Sequence, residues 1–165
     1  MLDEIKSQLM EYDIIAIKKE NFGQVFEVYD TNQNFFLLVQ GKEATIENSI
    51  NDIDTIPPNC AIEQKIYISI WKNGNVVGVL DIIEKYPTQS CFWIGLLLIH
   101  SNFQGKKIGS AITKALLNAA KIAGYKTAQL GVIESNEKGV SFWKKHGFNI
   151  LRHSDNIVVM VKDIG

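Results

Sequence analysis

Phe92-Trp93-Ile94-Gly95-Leu96-Leu97-Leu98-Ile99 runs directly into His100-Ser101-Asn102-Phe103-Gln104-Gly105-Lys106-Lys107-Ile108-Gly109-Ser110, an apolar run giving way to a basic loop punctuated by glycine. A run that is apolar at successive positions has no polar face to turn to water, so it predicts a central strand covered on both sides. Beyond the loop, Ala111, Ile112, Ala115, Leu116, Ala119 and Ala123 recur at helical spacing, with Lys114, Asn118 and Lys121 opposite, until Gly124 ends the pattern. Buried strand, loop and core helix in that order place a ligand site at the crossover, where free N–H groups at a helix N-terminus attract anions. Lys106 and Lys107 sharpen the expectation, because each cation there opposes the helix dipole by about 0.3–1 kcal/mol and a bound anion would offset that. Gly105 and Gly109 lack Cβ atoms, which lets the backbone approach a phosphate closely. The loop has neither the Gly-Lys-Ser/Thr ending of a P-loop nor G-x-G-x-x-G spacing. Spacing alone leaves an ordinary loop with two solvated lysines as the other reading.

Working outward, residues 65–71 alternate, Asn73-Gly74 supplies a type I′ turn, and residues 76–83 return as the second strand of a hairpin. Upstream, residues 12–18 alternate as a first strand, and Phe22, Val25, Phe26 and Tyr29 fall on one side of a helix. Residues 35–39 form an apolar cluster whose periodicity assigns no state. Thr45 reads as the N-cap of a short helix carrying Ile46, Ile50 and Ile53, stopped by Pro57-Pro58. Downstream, residues 127–132, 148–151 and 156–161 read as strands, and residues 138–146 as a short helix closed by Gly147.

A chain of 165 residues with 46% hydrophobic and 21% charged side chains predicts one globular domain over residues 1–165. Seventeen basic and 18 acidic side chains leave a net charge of −1, which provides no overall field for nucleic acid or an anionic membrane. Cys60 and Cys91 lie in no metal-ligand spacing and read as two reduced thiols; no metal is expected. The first residues lack a secretory pattern, and the longest apolar run is far short of the roughly 20 residues that span a bilayer. A cytoplasmic location is the expectation.

Gln104-Gly105-Lys106-Lys107-Ile108-Gly109 resembles the Q/R-x-x-G-x-G/A pyrophosphate loop of the GCN5-related N-acetyltransferases, with Lys107 where that pattern has its first glycine. The run from Asn136 to Phe148 resembles the family's N-x-x-A-x-x-F-Y-x-x-x-G-F, with Gly139 for alanine and Trp143 for tyrosine. Both occur in the family's order, and the strand pattern from residue 65 onward matches its core. The resemblance implies a mixed α/β fold: a central, mostly antiparallel sheet containing one splayed parallel strand pair, flanked by about four helices. It implies acetyl-CoA as co-substrate, lying between the strand that ends at Ile99 and the strand over residues 127–132. Leu98 and Ile99 would then supply main-chain contacts near the thioester. Gln104, Gly105, Lys106, Lys107, Ile108, Gly109 and Ser110 would hold the pyrophosphate. Asn136 would reach the pantetheine arm or cap the helix after it, and Phe142 and Trp143 would lie beside the cofactor.

The resemblance also implies direct attack by a neutral amine, with a base removing its proton and a tyrosine protonating the leaving thiolate. Trp143 stands at that tyrosine's place, and an indole N–H is too weak an acid for the task, so water or another residue would substitute. The apolar strand carries no carboxylate. Asp81, a charge within an apolar strand, is one candidate base, although an edge position or a hydrogen bond would explain it equally. His100 has a suitable intrinsic pKa but is expected at the surface. Phe22, Phe26, Tyr29, Phe35 and Phe36 fall where the family builds its acceptor wall, with core packing as the other reading of each; Tyr86 is a further candidate there, or an anchor for the turn before Pro87. The expected function is transfer of an acetyl group to a primary amine of a small molecule or peptide, by a monomer or homodimer. A non-catalytic acyl-CoA-binding protein is the alternative, and a nucleotide- or phosphosugar-binding module would use the same helix terminus.

Overall fold

The structure, a computed structural model, describes residues 1–165. Seven strands form one sheet in the order β1-β2-β3-β4-β5-β7-β6. They are β1 (Asp13–Ala16), β2 (Lys65–Lys72), β3 (Asn75–Ile83), β4 (Cys91–Ile99), β5 (Thr127–Ile133), β6 (Asn149–Ser154) and β7 (Ile157–Asp163). Every neighbouring pair is antiparallel except β4 and β5, which run parallel. The mixed α/β architecture implied by the motifs is therefore present. Six helices flank the sheet. Four have eight residues or more: α2 (Phe22–Asp30), α3 (Gln33–Gln40), α5 (Ile108–Ile122) and α6 (Glu137–Lys145). Two shorter ones, α1 (Leu2–Gln8) and α4 (Ile46–Ser49), complete the set. None is long and apolar enough to cross a membrane.

Alternation along the strands divides the core in two. Ile66, Ile68 and Ile70 of β2 point to the layer made by α1 and α5, where they meet Ile5, Ile112 and Leu116. Tyr67 points the other way, into a second cluster with Phe22, Val25 and Tyr29 of α2 and Phe36 of α3. The strand period of two thus sorts one strand's side chains between two helical layers. The β2–β3 hairpin turns on Asn73 and Gly74, both at positive φ (51° and 76°), as a type I′ turn requires. The apolar cluster that periodicity left unassigned is α3, with Phe36 buried and Leu37, Leu38 and Val39 exposed, so its two sides are both apolar and carry no helical signal.

The sheet opens between β4 and β5. Their pairing runs from Cys91↔Thr127 to Ile94↔Leu130 and stops, although β4 continues to Ile99 and β5 to Ile133. Each strand stays paired to its outer neighbour, β4 to β3 as far as Ile99 and β5 to β7 as far as Ile133. The two halves of the sheet therefore diverge like a V. A bulge lies at the vertex: Asp81 faces Leu96 while Ile82 faces Ile94, so Gly95 is an extra residue in β4. A bulge bends its strand and increases the local twist, which fits a strand turning away from its parallel neighbour.

Candidate active site

The V opens into a cleft of about 820 Å³, with Leu98, Ile99, Gln104, Gly109, Asn136, Phe142 and Trp143 among its lining residues. At its rim lies the loop into α5. The backbone N–H groups of Gly105, Lys106, Lys107, Ile108, Gly109 and Ser110 donate to no protein group; the first bonded amide is that of Ala111, to Lys107 O at 3.0 Å. Consecutive unpaired amides at a helix N-terminus form an anion-binding concavity. Lys107 is left-handed at φ 62°, the conformation for which glycine is the default, so the position where the family pattern has glycine keeps the glycine backbone path. Ile108 packs its side chain against the core and offers only its amide.

Gln104, Gly109, Asn136 and Trp143, expected at the cofactor, all line the cleft, and the protein already engages several of them. Gln104 turns its side chain inward, donating from Nε2 to Asn32 Oδ1 at 3.0 Å and to Ile99 O at 2.9 Å. Asn32 Nδ2 reaches the same carbonyl at 3.0 Å. Ile99 O is thus already bonded twice, and the unpaired edge of β4 available to a ligand runs from Gly95 to Leu98. Asn136 caps α6, its Oδ1 accepting from Gly139 N–H at 3.0 Å. A Cβ on Gly109 would lie 3.5 Å from Ile99 Cγ1 and 3.7 Å from the Phe142 ring, so this glycine keeps open the throat between β4 and α6. Trp143 packs edge-on against Phe142 and Phe148, at 5.0 and 5.2 Å between ring centroids.

Asp81 lies on the cleft wall behind Gly95, and a Cβ on that glycine would stand 3.1 Å from Asp81 Oδ2. It occupies an interior strand, which removes the edge-position explanation. Lys65, from the neighbouring strand, donates to Oδ2 at 2.7 Å and to Thr55 O at 2.9 Å, and its side chain is 4% exposed. The other oxygen, Oδ1, is buried without a partner. Burial raises the Asp81 pKa above the usual carboxylate value, against the lowering pull of Lys65, and the nearby Asp52 raises it further. Beside this pair, Tyr29 donates its hydroxyl proton to Asp52 Oδ2 at 3.1 Å, and Tyr67 is bonded to the Tyr29 hydroxyl. Burial raises the pKa of both tyrosines, which stay neutral, and it raises that of Asp52 as well. Asp52 also lines the cleft.

Residues 26–148 match the family described as Acetyltransferase (GNAT) family. The chain belongs to the GNAT acetyltransferase family. Solved GNAT-fold structures agree in shape. An acetyltransferase from Thermus thermophilus superposes with a TM-score of 0.80 at 20% identity, covering 92% of this chain and 96% of that one. The PaiA N-acetyltransferase from Thermoplasma acidophilum, solved in complex with coenzyme A, gives 0.71 at 17% identity, with 92% and 98% covered. The ribosomal-protein-S18-alanine N-acetyltransferase from Escherichia coli gives 0.67 at 12% identity, with 93% and 94% covered. No curated protein matches the chain in sequence.

On this GNAT framework the remaining expected site residues are displaced from the cleft. His100 is 4% exposed, contrary to the expected surface position. Its Nδ1 accepts from Asn102 N–H at 3.1 Å, which leaves the proton on Nε2 for Glu27 Oε1, also at 3.1 Å. With both ring nitrogens engaged, His100 fastens the loop to α2 and does not line the cleft. Phe26 packs on Phe22 and Tyr29, within the second core cluster. Tyr29 is fully buried and reaches the cleft only through Asp52. Tyr86 stands behind Trp93, edge-on at 5.8 Å, and it is Trp93 that lines the cleft. Asp52, Lys65 and Gly95 were not among the residues expected from sequence. Only Gly95 carried a usable signal, since an isolated glycine in a strand pattern marks a bulge or a close approach. No three His, Cys, Asp or Glu side chains are arranged to hold a metal ion.

Proposed function

We propose that residues 1–165 form a single domain that transfers an acetyl group from acetyl-CoA to a primary amine by direct attack. The observation that carries this reading is the pairing of two unsatisfied backbone surfaces along one cleft: the amides of Gly105 to Ser110 and the β4 edge from Gly95 to Leu98. Backbone groups without protein partners are open to a ligand, and a diphosphate and the amides of a pantetheine arm are complementary to these two surfaces in order. The coenzyme A complex of the Thermoplasma relative supports the same choice of co-substrate.

Asp81 is the proton acceptor in this reading, directly or through one water. A carboxylate whose pKa is raised by burial is a stronger base than a solvated one, and Lys65 favours its ionised form against that burial. The amine arrives as an ammonium and gives one proton to Asp81. Its lone pair then forms the C–N bond to the thioester carbonyl carbon as the C–S bond breaks, and the sulfur leaves with the bonding pair. The second nitrogen proton is lost as the amide forms. The thiolate takes a proton from water, because Trp143 offers only a weakly acidic indole N–H. The net change is ammonium and thioester to amide, thiol and one proton.

The test is release of free thiol from acetyl-CoA across a panel of primary amines. Turnover on at least one class supports the reading. Saturable acetyl-CoA binding with no thiol release on any amine contradicts it and favours the non-catalytic acyl-CoA-binding role to which Trp143 would then belong.

A further inference from the structure

Two carboxylates, Asp52 and Asp81, line one cleft wall, and a single buried ammonium, that of Lys65, lies among them. Lys65 donates its hydrogen bonds to Asp81 and to the Thr55 carbonyl. Asp52 receives only the neutral Tyr29 hydroxyl, on one oxygen, and its other oxygen bonds to nothing in the protein. The wall therefore carries two carboxyl groups against one ammonium. Asp52 is half-buried, and a cation that docks on its free oxygen gains a charge-assisted hydrogen bond in surroundings less polar than water. Apolar side chains of α3, Phe35, Phe36 and Val39, line the same cleft.

We infer that the acceptor is a cationic aliphatic diamine, whose reacting nitrogen meets Asp81 and whose second ammonium is bound by Asp52, with methylenes against α3. Tyr67 and Tyr29 hold Asp52 in place through their chain of hydroxyls. The inference rests on the acetyl-transfer reading for the identity of the reacting nitrogen, but the ammonium site stands on Asp52 itself. Two cations also face the cleft: Lys138 of α6 and Arg152 of β6, the chain's single arginine. Both are exposed, so water and salt weaken their fields, whereas the partly buried Asp52 acts through a lower dielectric. The carboxylate wall, not the arginine, then sets the charge preference.

Three acceptors of similar chain length separate the possibilities: 1,4-diaminobutane, pentylamine and 5-aminopentanoate, which end in ammonium, methyl and carboxylate. Thiol release should favour the diamine over pentylamine by roughly tenfold or more in kcat/KM, chiefly through KM. The isosteric Asp52→Asn variant, which keeps an acceptor for Tyr29, should abolish that preference while leaving coenzyme A affinity intact. Calorimetric titration of 1,4-diaminobutane into the coenzyme A complex tests the ammonium site without turnover, with roughly tenfold weaker binding expected in Asp52→Asn. Diamine binding without thiol release would uphold this site and reject the acetyl-transfer reading. Equal use of pentylamine, diamine binding that ignores Asp52→Asn, or a preference for 5-aminopentanoate lost in Arg152→Ala would each overturn the inference.

Discussion

Gly95 and Asp81 are in mutual contact across two neighbouring strands, close enough that the Cβ of any other residue at 95 would meet Asp81 Oδ2 at 3.1 Å. The bulge residue that lies where the sheet opens is therefore also the residue that gives the carboxylate its room. Gly95→Ala should push the carboxylate off its position while leaving the loop into α5 untouched. Expected is a loss of roughly ten- to a hundredfold in kcat, well beyond any change in acetyl-CoA affinity, measured by steady-state kinetics and calorimetry. Wild-type kcat in the variant would dismiss Asp81 as the proton acceptor.

Lys65→Met removes the only cation bonded to Asp81 and leaves a buried carboxylate alone. Breaking such a pair costs about 3–5 kcal/mol, read from urea unfolding. Lys65 also draws the Asp81 pKa downward against burial. Without it the ascending limb of the kcat/KM profile should move to higher pH. A limb that stays in place would assign it to another group.

Asp52 gives a prediction whose sign follows from linkage. Burial raises its folded pKa above the ordinary 3.8, so its contribution to stability is present below that value and is lost as pH rises through the raised one. Asn has no such loss. The stability of Asp52→Asn relative to wild type should therefore grow from acidic to neutral pH, and a relative decline over that range would contradict the burial assignment.

Lys107 sits at φ 62° with its side chain exposed. Lys107→Gly removes the left-handed penalty of about 1–2 kcal/mol and adds roughly 0.5–1 kcal/mol of chain entropy to the unfolded state, so it should be neutral to slightly stabilising. Lys107→Val should be destabilised by at least about 1 kcal/mol, because β-branched residues tolerate this region poorly. Equal midpoints for the valine and glycine variants in urea would show that the turn is relaxed.

The segments that were legible in sequence are those whose signal is local. The Asn73-Gly74 turn names its own geometry, and the alanine-rich spacing after Gly109 names a buried helix face. The open end of the sheet was legible only through resemblance, since nothing in the composition of β4 says where pairing stops. The carboxylate wall was not legible. Asp52 lies on the polar side of a short helix, and Lys65 in an alternating strand where a lysine reads as solvent-facing; Asp52 is half-buried and the Lys65 side chain buried only because distant segments close over them. His100 was misjudged for the same reason, its cover coming from Glu27 and Phe103. Asp81 was visible as an anomaly, a charge in an apolar strand, and its meaning came with its partner.

The central claim is that the free amides before α5 receive a diphosphate. Backbone amide NMR spectra recorded during titration with coenzyme A test it most directly. The account predicts saturable shifts concentrated at Gly105 to Ser110 and along Gly95 to Leu98, and a severe loss of affinity in Gly109→Val, which fills the throat beside Ile99 and Phe142. Saturable binding that leaves the Gly105–Ser110 amides unmoved would contradict it.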